Sequence, residues 1–208
     1  MKTEHILVVK RNTLFPIKAF QGLQPISEHY LTLIQKEKEF LPRNLMEEDL
    51  TYKQIIPYLI FKYEETYFMM QRRSASSEQR LKNKYTLGIG GHMRQEDMQH
   101  GATIFDWAQR EFDEEISYTG NLSIKPLGIL NDDSNAVGQV HLGLVLLLEG
   151  DRPHITVRSE LKSGTLVSLH DCLTYYPDME SWSQIIFDAV LRPNIPFAPQ
   201  SPQAQIKY

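Results

Sequence analysis

GATIFDWAQREFDEEIS, Gly101 to Ser117, is the stretch that decides how this chain reads. Thr103 is a good N-cap, and Asp106, three residues on, stands where a capping box places its second member. Ile104, Ala108, Phe112 and Ile116 recur every four residues, as on one face of a helix. The pattern predicts a helix from about Ile104 to Ser117 with that stripe packed inward. An α-helix advances about 100° per residue, so with Ile104 at zero the stripe covers roughly 0° to 120°. Asp113 falls near about 180°, a plain solvent position, while Glu111, Glu115 and Glu114 fall near about 340°, 20° and 280°. Three carboxylates therefore share one side, and Glu115 stands at the edge of the buried stripe.

Several glutamates on a surface helix usually mean a solvated face. The order Arg110-Glu111-Phe112-Asp113-Glu114-Glu115 is narrower than that. Carboxylates at these spacings repel one another, and those near a core lose hydration. A fold keeps such a cluster when something positive compensates it. A divalent cation with oxygen ligands can do so, and Arg110 supplies a further charge.

Outward from this helix the chain turns to strands. Tyr85 to Ile89 reads as a strand ending at Gly90-Gly91, followed by a loop over residues 92–101. Ile55 to Lys62 and Thr66 to Arg72, rich in β-branched and aromatic residues, read as a hairpin about Glu64-Glu65. Pro57 argues that its first strand starts late or lies at an edge. Residues 74–84 are polar and loop-like. Leu122 to Leu130 and Gln139 to Leu148 read as long strands joined by a turn-rich linker. Strand-like residues recur at His154 to Val157 and Thr165 to Leu169, and a last helix runs from about Met179 to Leu191.

The division expected is an extension over residues 1–50, a main domain over 51–193 and a proline-rich tail over 194–208. The extension carries a strand at Ile6 to Val9 and a helix from Ser27 to about Glu39, stopped by Pro42. Residues 43–52 read as loop. Strands punctuated by two or three helices predict a mixed sheet flanked by helices, an α/β sandwich.

Composition narrows the function classes. The chain has 208 residues, 41% hydrophobic and 23% charged, near the values of soluble globular proteins. The apolar run Val140 to Leu148 contains His141 and is too short to span a bilayer. MKTEHILVVKRN at the start does not read as a secretory signal. One cysteine, Cys172, allows no intrachain disulfide and no cysteine zinc site, which suits a reducing cytoplasm. A net charge of -4 argues against bulk nucleic-acid binding. A site that holds phosphate through metal ions can still be acidic.

REFDEE, Arg110 to Glu115, resembles the heart of the Nudix box, G-x5-E-x7-R-E-U-x-E-E-x-G-U with U apolar. GIGGH, Gly88 to His92, resembles the strand ending in Gly-Gly that precedes the box. MMQRRS, Met69 to Ser74, is similar to the family's hairpin strand ending in Gln-Arg. The resemblance covers residues 54 to about 170, and GIGGH with the long extension looks like a bacterial branch of MutT-like phosphoesterases. There are departures. Eight residues before Arg110 stands Ala102 in place of the box Glu, Ser117 replaces the Gly after the Glu pair, and ten residues separate Gly91 from Ala102. Glu96 or Asp97 in the enlarged loop can take the missing acid's part.

The resemblance implies a Nudix-type α/β/α sandwich with a mixed sheet, and hydrolysis of a nucleoside diphosphate linked to another group. It implies magnesium or manganese held by Glu111, Glu114 and Glu115 with the carbonyl of Gly91, and Arg110 orienting one of the acids. The general base is Glu111 or Glu160. Gly90, His92, Arg72 and Arg73 are candidates to touch substrate phosphate. Tyr85, Trp107 and Trp182 can stack on a base, though core packing is the plainer reading. His100, His141 and His170 follow no pattern. Many relatives pair as homodimers. The competing reading is a Nudix-fold binding or regulatory module without activity, which Ala102 favours.

Overall fold

The computed structural model describes residues 4–72, 83–99, 101, 103–158 and 162–194. Arg73, His100, Ala102, Glu160 and residues 195–208 lie outside the described residues, as do the side chain of Arg72 and most of the loop at 74–84.

The elements run in chain order as β1 (His5–Lys10), α1 (Arg11–Leu14), β2 (Gly22–Gln24), α2 (Glu28–Glu37), β3 (Glu39–Pro42) and α3 (Arg43–Met46). The hairpin β4 (Tyr52–Tyr63) and β5 (Thr66–Arg72) follows, then β6 (Tyr85–Thr86), β7 (Gly88–Gly90) and α4 (Ile104–Glu115). Next come β8 (Ile116–Tyr118), β9 (Leu122–Asn131), α5 (Ala136–Val140), β10 (His141–Gly150), β11 (Ile155–Val157) and β12 (Lys162–Ser168). The helices α6 (Cys172–Tyr175) and α7 (Ser181–Ile186) close the described chain, α7 continuing as a π-helical turn over Phe187–Leu191.

The main sheet runs β12-β5-β4-β10-β9-β2, with β1, β3, β6 and β7 attached around β4 and β5. It is mixed: β10 lies parallel to β4, with Leu144 opposite Pro57, while β9 lies antiparallel to β10. Side chains on a strand alternate between faces, and here each face is covered. Tyr58, Ile60, Val145 and Leu147 pack with Cys172, Ile186 and Phe187 from α6, α7 and the π turn. Leu59, Phe61, Leu146 and Leu148 pack with Ala108, Phe112 and Ile116 of the acid-bearing segment. Farther along that face, Ile55, Leu142 and Leu144 meet Trp107 of α4 and Ile34 of α2. Two buried faces explain why β4 and β10 read as continuous apolar runs. The result is the α/β/α sandwich with a mixed sheet.

Several local expectations are corrected. Pro57 lies within central strand β4, neither at an edge nor before the strand begins. It is tolerated where one flank of β4 has a gap, since β1 pairs with it only up to Gln54 and β7 only from Tyr58. The acid-bearing helix stops at Glu115, because the next three residues form β8, whose Ile116 and Tyr118 pair with Val157 and Ile155. The Arg158 amide donates to the Glu115 carbonyl at 2.7 Å, and Arg158 Nε to the Ile116 carbonyl at 2.7 Å. The helix opened by Ser27 ends at Glu37, and Glu39–Pro42 joins β1 as a strand. Residues read as loop contain α3 at Arg43–Met46 and a 3-10 turn at Gln95–Gln99.

Candidate active site

The helix α4 is set by its own sequence at its start. The Thr103 hydroxyl accepts from the Asp106 amide at 3.2 Å, and the Asp106 carboxylate accepts from the Thr103 amide at 2.9 Å, closing the capping box. Trp107, Ala108 and Phe112 are buried, which fixes the rotation of the helix about its axis. Asp113 faces solvent as the wheel requires. Of the three clustered acids Glu111 lies deepest, at 6% exposure, while Glu115 is half-buried and Glu114 exposed.

Arg110 is the hub of the acid cluster. Its Nη2 donates to Asp97 Oδ2 at 2.8 Å and to the His92 carbonyl at 3.0 Å, its Nε donates to Asp97 Oδ1, and its Nη1 donates to Glu114 Oε2 at 2.8 Å. Nη2 also stands 2.8 Å from Glu111 Oε1. Burial pulls against the guanidinium charge, but Asp97, Glu111 and Glu114 more than offset it. Asp97 is fully buried and accepts from the Arg94 amide as well. The spacing counted back from Arg110 lands on Ala102. Counted forward from Gly91, the five-residue spacer of the box covers residues 92–96 and its acid position falls on Asp97. The enlarged loop thus places its extra residues after the acid, and Asp97 is the acid that meets the box arginine.

Gly90, Gly91, His92, Glu111, Glu114 and Glu115 line one cavity of about 380 Å³. Gly91 admits the Glu111 carboxylate: a Cβ there would stand 1.9 Å from Glu111 Oε2. Burial raises the Glu111 pKa, and Arg110 reverses this only in part. A deeply seated carboxylate left short of positive charge, beside two more hard oxygen donors on the same wall, suits a hard divalent cation. Among the described residues, no three His, Cys, Asp or Glu side chains converge as they stand on a single ion.

The remaining walls come from elements whose role the sequence did not announce. The extension contributes Glu4, Arg43 and Glu47, and the start of α7 contributes Glu180, Ser181 and Trp182. The Leu7 amide donates to the Met93 carbonyl at 2.8 Å, so β1 lies directly against the loop that follows Gly-Gly. Tyr58 donates from its hydroxyl to Glu180 Oε1 at 2.8 Å and lies 2.7 Å from Ser183 Oγ, which ties α7 to β4 beneath the cavity. Lys53, with no exposure, donates to Asp133 at 2.8 Å and to the carbonyls of Gly138 and His141 at 2.8 and 3.2 Å. Those bonds hold the segment bearing Asn135, Val137 and Gly138, another part of the wall.

His92 lines the cavity, but its Nε2 is spent inside the fold. Nε2 lies 2.6 Å from Gln54 Oε1 and 3.3 Å from His141 Nε2. His141 Nδ1 donates to the Val137 carbonyl at 2.6 Å, so its Nε2 is the acceptor, and His92 donates from Nε2 to Gln54. Burial, with the nearby charge of Arg43, lowers the His92 pKa to about 2. Trp107 is core, as expected. Trp182 is half-buried: it lines the cavity and packs against the core, edge-on to Tyr58 at 5.5 Å.

No family model matches the chain. It is 31% identical over 202 residues to Protein YmaB of Bacillus subtilis (strain 168), an alignment covering 89% of this chain and 96% of that protein. Among solved structures it superposes on Tm1382, a candidate Nudix hydrolase, with a TM-score of 0.77 and 29% identity over 91% of this chain and all of the other, 100%. The NUDIX domain of Shewanella oneidensis NrtR, solved in complex with ADP ribose, shares the fold at a TM-score of 0.51 and 11% identity, covering 65% of this chain and 84% of that one.

Proposed function

The chain belongs to the Nudix superfamily, and from that premise we propose that it hydrolyses the diphosphate bond of a nucleoside diphosphate linked to another group, with magnesium or manganese. The observation that carries this reading is the meeting of Glu111, Glu114 and Glu115 with Gly90-Gly91 on one cavity wall, backed by Arg110. Those three carboxylates would hold the metal, with the Gly91 carbonyl as a further oxygen donor. A bound divalent ion neutralises phosphate charge and lowers the pKa of a coordinated water.

The chain's own groups divide the remaining work. Arg110 fixes the rotamers of Glu111 and Glu114 through charge-assisted bonds. Glu111 is one candidate to accept a proton from the attacking water. Glu160 is the other candidate base, and Arg158, two residues before it, is bonded to the end of α4. Trp182 offers a flat face for a base. A single buried cysteine suits a reducing compartment.

A second reading, a binding module without turnover, is favoured by one observation: Ala102 stands eight residues before Arg110, where the box has its Glu. A panel of ADP-ribose, dinucleoside polyphosphates and deoxynucleotides, assayed with magnesium and with manganese, separates the two. The enzyme reading expects metal-dependent turnover of at least one member. It expects Glu114→Gln to lower the rate roughly 100-fold or more, the several kcal/mol a metal supplies. Binding without turnover across the panel would leave the module.

A further inference from the structure

The cavity is acidic, and its cations are few. Glu4, Glu47, Glu111, Glu114, Glu115 and Glu180 line it, and among the described lining residues only Arg43 and Arg94 carry positive charge. These two come from distant parts of the chain, Arg43 from the start of α3 and Arg94 from the loop after Gly90-Gly91-His92. They converge on one carboxylate. Arg43 Nη1 lies 3.0 Å from Glu4 Oε2, and Arg94 Nε lies 2.6 Å from Glu4 Oε1. An anionic group already sits between two guanidinium groups, one oxygen to each.

That arrangement leaves donor capacity over. The buried Arg94 Nε–H is not aimed at a hydrogen-bond acceptor despite its closeness to Glu4. Arg43 donates through Nε to Glu47 and through Nη1 to Glu4, whereas Arg94 only stands near Glu4 with Nε and near Glu114 with Nη1. Among the described residues neither Nη2 makes a hydrogen bond, and both side chains keep more than a third of their surface exposed. Paired guanidinium forks with free donors match a tetrahedral oxyanion better than a planar carboxylate, since phosphate offers more oxygens and more charge. Arg94 Nη1 also stands 3.7 Å from Glu114 Oε1, so the pair adjoins the acid-bearing helix.

We infer that Arg43 and Arg94 form a phosphate subsite, built jointly by the N-terminal extension and the Gly-Gly-His loop, with Glu4 as an internal occupant that a substrate phosphate displaces. The inference rests on the proposed hydrolase reading for its ligand class, a diphosphate. It makes the extension part of the substrate site.

Calorimetric titration of the full chain in magnesium, with inorganic pyrophosphate and separately with adenosine, tests it. Arg43→Ala and Arg94→Ala are each expected to weaken pyrophosphate binding roughly tenfold or more, the worth of a charge-assisted bond, and to leave adenosine unchanged. Glu4→Gln removes the competitor and is expected to tighten pyrophosphate binding several-fold. This variant guards against the case in which an arginine variant fails to fold. Absence of pyrophosphate binding at millimolar ligand overturns the subsite. So does unchanged binding in both arginine variants, or weakening by Glu4→Gln in step with them, since that marks a purely structural bridge. Turnover is scored separately: pyrophosphate held through Arg43 and Arg94 by a chain that hydrolyses nothing keeps the subsite and removes the hydrolase reading.

Discussion

Asp97 and Arg110 meet fork to fork, thirteen positions apart, with the carboxylate only 1% exposed. The pair sets the direction of the guanidinium that in turn holds Glu111 and Glu114. Asp97→Asn keeps the shape and removes the charge, so Arg110 loses its best-buried partner. Partners that orient metal ligands are commonly worth about 10- to 100-fold in metal affinity. Manganese titration followed by electron paramagnetic resonance is expected to show at least a roughly tenfold weaker site. An affinity within twofold of the native chain would remove Asp97 from the positioning role.

How much of this was legible depended on how local the signal was. The capping box of α4 and the inward packing of Ala108, Phe112 and Ile116 rest on neighbouring residues, and these appear as read. Strands β4 and β10 were also visible, because burial on both faces writes itself into continuous apolar runs. Asp97 was visible only as one of two acids in a loop, since a spacing counted from Arg110 crosses the enlarged loop and one counted from Gly91 does not. Arg43, Glu4 and Arg94 left no signal, because each is an ordinary charged residue until β1 lies beside the Gly-Gly loop. Pro57 misled for a related reason. Its tolerance comes from a gap between two partner strands, which no local pattern encodes.

Gly91→Ala tests the close approach of backbone and acid. The added methyl would fall 1.9 Å from Glu111 Oε2, so the carboxylate must move. A displacement of about 1 Å at a reacting centre can reduce the rate roughly 100-fold. The expected result is a loss of that order in kcat with circular dichroism unchanged. Full activity would show that Glu111 can work from elsewhere.

Lys53 and Asp133 govern stability rather than chemistry. Lys53 is fully buried, and Asp133 also accepts from Arg11. Asp133→Asn leaves a buried ammonium without its carboxylate and is expected to lower stability by about 3 kcal/mol near neutral pH. The pH dependence has a definite sign. Burial acts to raise the Asp133 pKa, but Arg11 and Lys53 hold it at about 2, below the ordinary 3.8. A depressed carboxylate contributes stability that is present above its unfolded value and lost as pH falls through the folded one. Urea melts of the native chain should therefore weaken between pH 3.8 and about 2, and the Asn variant should lack that component. An identical acid limb in both would place the acid sensitivity elsewhere.

Trp182 decides whether the apolar side of the cavity recognises a base. It lines the cavity, packs edge-on to Tyr58, and lies so close to Gly143 that a Cβ there would stand 2.9 Å from the ring. Stacking of a base on an aromatic ring is worth about 1–3 kcal/mol. Trp182→Leu retains apolar bulk against Gly143 and removes the flat face. For a nucleotide substrate the variant is expected to raise KM roughly tenfold at little change in kcat, the sign of binding lost equally from ground and transition states. Pyrophosphate, which has no base, should bind as tightly as before. An equal loss for both ligands would mean that Trp182 props the cavity wall open and touches no base.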